Sequence, residues 1–221
     1  MIVRLKFYTP CPELVCAEAA AVCTNFTGDP MQALRGAMRS GHMSVLEHAN
    51  FTFHVSGVSR VLLAQLTRHR LASYSVQSQR YCGANFALVV PTSMARPELV
   101  DDIITVRRAV EDLYDKAISL GVPEEDARYL TFQAGKTALT FTMNARELRA
   151  FFALRCCNRA QWEIRQLADK MLQLCKGVAP ALFEHAGPGC VWDGCPEGDK
   201  CCGKPRRSDS WDPKGEEDYA P

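Results

Sequence analysis

Arg68, His69 and Arg70 stand side by side, and Ser73, Ser75, Gln77, Ser78, Gln79 and Arg80 follow closely. From the residue after Glu47 to the residue before Glu98 there is no Asp, Glu or Lys, yet Arg60, Arg68, Arg70, Arg80 and Arg96 lie there, with His48, His54 and His69. A solvated face normally mixes charge signs and uses lysine. Arginine without acids suits a bound anion, because the planar guanidinium holds phosphate through two parallel N–H bonds. Hydroxyls and amides are the usual accompaniment. The competing reading pairs these arginines with carboxylates from distant segments.

A second candidate is Arg155. On one continuous helix, Leu148, Phe151, Phe152, Arg155, Arg159 and Trp162 fall on one stripe. A guanidinium among bulky apolar residues must be paired. Its partner is either a Glu on a neighbouring element or the anionic edge of a ligand. Arg159 has Glu163 one turn on, an ordinary i,i+4 pair. In GHMSVLEH, residues 41–48, the spacing of His42, Glu47 and His48 does not match the H-E-x-x-H of zinc peptidases. Cys190, Cys195, Cys201 and Cys202, with His185 nearby, lack a C-x2-C pair, so free thiols are expected and no metal site. The chain has no G-x-G-x-x-G, no G-x4-G-K-[ST] and no G-x-S-x-G, hence no sign of a dinucleotide fold, a P-loop or a serine nucleophile elbow.

The elements that position these residues follow from period and punctuation. IVRLKFY and NFTFHVSG alternate as strands. CPELVCAEAAAVCT reads as a helix. DPMQALRGAMRSG reads as another, capped by Asp29 with Pro30 at its first position. VSRVLLAQLTRHR has helical spacing with Ser59 as cap, so Arg68–Arg70 fall on its last turn, and SYSVQSQRY continues as an extended polar segment. FALVVPTSM reads as a buried strand-like run. Residues 98–120 form a long amphipathic helix, and the stretch after it carries a short helix and then an alternating strand. Residues 144–177 read as one long helix, with Asn144 and Glu147 placed as a capping box. Strands and helices mix without strict βαβ alternation, which predicts an α+β fold.

The chain has 221 residues, 47% hydrophobic and 23% charged, with net charge +1. This is enough for one sizeable core, and too little positive charge for non-specific nucleic-acid binding. Neither a secretory signal nor a membrane span is evident, so a cytoplasmic protein is expected. Eleven cysteines in that setting read mostly as small buried hydrophobes rather than disulfides. After His185 the chain turns to Gly, Pro, Cys, Asp and Lys, and residues 186–221 are expected to form a flexible, cysteine-rich tail on a body of residues 1–185.

Arg68-His69-Arg70, seven residues and then Ser78 resembles the signature of the flavin-dependent thymidylate synthases. GHMSVLEH, MNARELRAFFALR and AQWEIRQLA resemble that family's flanking motifs, in the same order. The resemblance implies an α+β domain with a mostly antiparallel sheet and long helices, assembling as a homotetramer. It implies conversion of dUMP to dTMP, with methylenetetrahydrofolate as carbon donor and NADPH-reduced FAD as hydride source. Carried over by position, Ser44, Arg68, His69, Arg70, Asn144 and Arg146 contact FAD. Gln65, Arg68, Ser78, Gln79, Arg80, Arg128 and Arg155 hold dUMP, and Arg155 acts on the uracil ring, with no enzyme thiol required. Ser75, Val76 and Ala150 stand where many members carry polar residues. The alternative from another class is a non-catalytic protein binding nucleotides or RNA through the 60–80 segment.

Overall fold

In the computed structural model, which describes residues 1–206, strand and helix assignments follow the local signals closely. β1 (Ile2–Tyr8), β2 (Asn50–Ser59), β3 (Ala72–Val76) and β4 (Lys136–Asn144) form one antiparallel sheet in the order β1-β2-β4-β3. Alternation sets the faces. Phe51, Phe53 and Val55 on β2 and Leu139, Phe141 and Met143 on β4 point into the core, while Thr52 and Thr142 share a 2.9 Å hydrogen bond on the other face. A bulge between Ser56 and Val58 falls at Gly57, whose φ of +71° is costly for any side chain.

Helices cover the buried face: α1 (Pro12–Thr24), α2 (Pro30–Arg39), α3 (Arg60–Leu66), α6 (Ala145–Arg155) and α7 (Trp162–Val178). Between α3 and β4 lie α4 (Pro97–Ser119) and the short α5 (Glu124–Ala127). The expected caps are in place. Asp29 accepts from the Met31 N–H, Ser59 from Leu62 and Asn144 from Glu147. α4 buries only Tyr114, against Phe86 and Ala127, and leaves Leu99, Ile104, Val106 and Leu113 exposed. Among the described residues no helix is long and apolar enough to cross a membrane.

Four expectations change. Residues 144–177 are two helices, because the chain turns over Cys156–Gln161 and the Gln161 side chain caps α7 by accepting from the N–H groups of Glu163 and Ile164. The Arg159–Glu163 pair therefore does not form. Arg159 bonds the Cys201 carbonyl at 3.0 Å, and the buried Glu163 carboxylate receives the Ser59 N–H at 2.7 Å and the Ser59 hydroxyl at 2.5 Å. Arg68–Arg70 lie beyond α3, which ends at Leu66, and within the extended segment that follows, Ala72–Val76 pairs with the outer edge of β4. FALVVPTSM is not a strand: it makes one isolated bridge, Leu88 to Gly135, before Pro91 ends the pairing.

Residues 186–206 lie against the body. Ala186 and Val191 are buried. Arg206 pairs with buried Asp169 at 2.9 Å and donates to the Cys156 carbonyl at 2.7 Å. The short α8 (Pro180–Phe183) leads into this stretch, and α9 (Cys190–Asp193) lies within it. The rest of the expected tail, 207–221, lies outside the described residues.

Ser59 is thus both the cap of α3 and the partner of a buried carboxylate. Ser59→Ala removes a charge-assisted hydrogen bond and a cap together, so it should lower unfolding free energy by about 2 kcal/mol. Urea denaturation checks this, with the denaturant slope unchanged.

Candidate active site

The connection between α3 and β3 meets α6 at His69. Its ring is buried, with an edge-on contact to Phe151 at 4.9 Å between centroids. Nδ1 lies 3.2 Å from Glu147 Oε1, and Nε2 lies 3.1 Å from Arg155 Nε. A guanidinium only donates, so Nε2 must be the acceptor and the proton sits on Nδ1, facing the carboxylate. Protonating Nε2 would set two donors against each other. Burial and then the Arg155 charge hold the His69 pKa below its usual 6.5, outweighing the Glu147 hydrogen bond. His69 is therefore a neutral bridge between the first and last turns of α6. The Tyr74 hydroxyl secures the loop that carries it, lying 2.9 Å from the Leu66 carbonyl and 2.8 Å from that of His69.

Among the described residues Arg155 has no carboxylate partner. It donates to His69 and to the Gln65 carbonyl at 3.4 Å, and burial followed by the Arg68 charge pushes its pKa down. Of the two readings open from sequence, the structural ion pair is absent among the described residues, and a cation is left held in place by neutral acceptors. Arg155 borders a cavity of about 360 Å³, with Cys157, Arg159, Cys190, Cys195 and Glu197 also on its walls.

A second cavity, of about 570 Å³, is lined by Arg60, Thr67, Gln79, Arg128 and Thr131 among others, with no carboxylate on its walls among the described residues. Gln79 donates to Thr131 Oγ1 at 3.1 Å. Arg128 Nε donates to the Glu125 carbonyl at 2.9 Å. Arg60 Nη2 donates to the Gln77 carbonyl at 3.4 Å, while its buried Nε has no hydrogen-bond partner among the described residues, and the Arg60 pKa is lowered by burial and by Arg128. An unsatisfied buried donor beside a second cation is costly without an anion. Arg60 was visible in sequence as one of the unneutralised arginines, but its place in this wall required the fold.

The remaining site residues divide. Ser44, exposed, sits on the 3-10 turn Met43–His48. From that turn Glu47 reaches Arg146 at 2.5 Å, next to the Asn144 cap. Arg68 and Arg70 are exposed, and neither has a hydrogen-bond or ion-pair partner among the described residues. Ser78 Oγ accepts from the Arg80 N–H at 3.0 Å. The Arg80 guanidinium pairs with Glu125 at 2.7 Å and lies over the Tyr81 ring. For Arg80 and Arg146, pairing with distant carboxylates is what the structure shows. One chain thus gathers Arg155, His69 and Gln65, separately gathers Gln79, Arg128 and Arg60, and sets Ser44, Asn144 and Arg146 near Glu47. Among the described residues no group of three or more His, Cys, Asp or Glu is arranged to hold a metal.

Residues 4–181 match the family described as thymidylate synthase complementing protein, Thy1. The chain is 48% identical to the flavin-dependent thymidylate synthase of Geobacter sulfurreducens, covering 92% of this chain and 94% of that protein. It is 43% identical to that of Clostridium tetani, covering 91% and 93%. Among solved structures it resembles the UMP/dUMP methylase PolB of Streptomyces cacaoi bound with 5-Br dUMP, with TM-score 0.74, 25% identity, and coverage of 83% and 93%. It also resembles the Helicobacter pylori flavin-dependent thymidylate synthase complexed with FAD and dUMP, with TM-score 0.67, 28% identity, and coverage of 85% and 100%.

Because the folded-state His69 pKa is depressed, the neutral bridge contributes stability that is present above about pH 6.5 and lost as pH falls below it, where the unfolded chain binds a proton that the folded chain resists. Thermal unfolding between pH 7.5 and 5, roughly the range over which histidine titrates, should show the native protein losing more stability than His69→Gln. Parallel curves would refute the neutral bridge.

Proposed function

The chain belongs to the Thy1 family of flavin-dependent thymidylate synthases, and we propose that it methylates dUMP to dTMP with FAD as its flavin, methylenetetrahydrofolate as carbon donor and NADPH as reductant. The single observation that carries the mechanism is Arg155, a cation fixed by His69 and the Gln65 carbonyl with no carboxylate among the described residues to neutralise it. Uracil C5 is a weak nucleophile until negative charge develops on the ring. A preorganised guanidinium in a partly desolvated site stabilises that charge as it forms. Two of its nitrogens are spent on His69 and Gln65, and Nη1 remains for the base. His69 acts as a positioning residue.

The cavity lined by Arg60, Gln79 and Arg128 suits the nucleotide phosphate, with Ser78, Arg80, Arg68 and Gln65 as further dUMP contacts. Arg68 and Arg70, unneutralised and exposed, fit the phosphates of a dinucleotide, and Ser44, His69, Asn144 and Arg146 complete the proposed FAD contacts. FAD, when bound, supplies the hydride. The catalytic body is residues 1–185, and assembly is a homotetramer. Two observations support assembly: the site residues fall into separate groups within one chain, and α4 exposes apolar side chains along its length. The likeness to a UMP/dUMP methylase supports one second reading, that UMP is the preferred nucleotide.

Tritium release from C5-labelled dUMP, in the presence of methylenetetrahydrofolate and NADPH, tests the synthase. Release from dUMP is expected, and release from UMP alone would favour the second reading. In that assay Arg155→Ala should lose at least about a hundredfold in turnover while the flavin absorbance of the purified protein persists. Arg60→Gln should raise the KM for dUMP by about tenfold, the value of one charge-assisted hydrogen bond, with little change in kcat.

A further inference from the structure

A third cavity, of about 260 Å³, lies where α2, α6 and α8 meet, and it shares no lining residue with the cavities at Arg155 and Arg60. α8 is tied to its neighbours from two sides. Glu13 on α1 accepts from the Ala181 N–H at 2.6 Å, and Arg149 Nη1 on α6 donates to the Leu182 carbonyl at 2.6 Å. Leu34, Met38 and Ala181 give the cavity an apolar wall, and Leu34 is fully buried. Arg35 and Arg39, one turn apart on α2, and Arg149 give it a cationic one. The carboxylate that borders it, Glu184, lies 3.8 Å from His185 Nε2 and pairs with none of these arginines. From this arrangement we propose that the cavity is a binding site for a small organic carboxylate, its charged end held by Arg35, Arg39 and Arg149 and its hydrocarbon body laid against Leu34 and Met38.

Arg149 has a structural duty, but the Leu182 carbonyl takes only one of the several N–H groups that a guanidinium carries. Among the described residues it has no other hydrogen-bond partner and no carboxylate. Burial pushes its pKa down, so an anion beside it relieves a cost that water does not. Arg35 and Arg39 have no hydrogen-bond or ion-pair partner among the described residues. The surroundings narrow the ligand. A planar fork matches a carboxylate. The apolar wall favours a hydrocarbon body over a fully hydrated inorganic anion. Glu184 opposes a polyanion such as a nucleotide, and the cavity lies below the roughly 300 Å³ at which drug-sized pockets begin, so the ligand is small. A carboxylate spanning Arg39 and Arg149 joins α2 to α6. α2 leads into the turn that carries Glu47, and α6 carries its partner Arg146, so the ligand braces the two elements behind that ion pair. The proposal rests on this cavity and not on the synthase reading.

The test titrates hexanoate into the full-length protein loaded with FAD and follows the methyl resonance of Met38, assigned with Met38→Leu. A saturable shift is expected, with a Kd of about 1 mM for a ligand of so few atoms. Hexan-1-ol has the same body without the charge and should bind about tenfold more weakly, the value of one charge-assisted hydrogen bond. Arg39→Ala alters an exposed side chain, so it tests the site without disturbing the core; it should weaken hexanoate several-fold and leave hexan-1-ol unchanged. Arg149→Lys keeps the charge but loses the fork, and should weaken hexanoate as well. Absence of saturation, as when a carboxylate of a neighbouring copy fills the cavity, would overturn the proposal. So would hexan-1-ol or inorganic phosphate binding as tightly as hexanoate, or a hexanoate affinity unchanged in both arginine variants.

Discussion

A neutral imidazole wedged between a carboxylate and a guanidinium organises this molecule. Glu147 and Arg155 stand on the same helix, and His69, arriving from the β3 side of the sheet, spans them across Phe151. The bridge requires His69 to stay uncharged, because its second nitrogen must accept from Arg155. It also requires Arg155 to stay without a carboxylate, because Glu147 is held at the other end of the ring. One buried side chain thus fixes the α3–β3 connection to α6 and delivers a cation whose charge is not cancelled. Had the acid reached the arginine directly, the result would have been an inert ion pair.

The same economy governs the other arginines. Arg80 and Arg146 are neutralised by Glu125 and Glu47, so their forks are already occupied and any ligand must compete or share. Arg60 and Arg128 line a cavity without acids, and Arg60 keeps a buried donor unsatisfied. The segment without acids therefore does not produce a uniform basic patch. It produces a graded set, some tied down for shape and some left open for an anion, in a chain whose net charge is only +1. That distribution distinguishes a built anion site from the broad positive surface of a non-specific nucleic-acid binder.

Much of this was legible in sequence wherever the determinant is local. The caps at Asp29, Ser59 and Asn144 sit one turn from the N–H groups they satisfy, and the alternation in β2 and β4 sets the faces of the sheet directly. What escaped is non-local. The helix break at Cys156–Gln161 carries no Gly or Pro, and the apolar stripe runs through it; only the Gln161 side chain, turned back as a cap, marks it. Glu163 looked like the partner of Arg159 by spacing, but its carboxylate is claimed by Ser59, far earlier in the chain. The motif flagged His69, yet its role as a bridge depends on Glu147, which a capping-box reading had turned toward Asn144. Arg60 was counted among the charges and not placed, because helical position alone does not say which wall it joins.

The cysteines sharpen the division between chemistry and packing. Burial pushes the Cys16 thiol up to about 11 and holds Cys156 and Cys175 well above the usual thiol range, with Asp169 adding to the effect at Cys156. Such thiols are fillers, protonated and poor nucleophiles. Cys11 and Cys82 are exposed, and neither lines the Arg155 or Arg60 cavity. Cys157, Cys190 and Cys195 border the Arg155 cavity, the last two from a segment outside the catalytic helices. On the reading proposed above, activation of a pyrimidine in this site comes from the electrostatics of a fixed arginine. On that reading the bridge at His69, rather than a sulfur, sets what the fold must hold still.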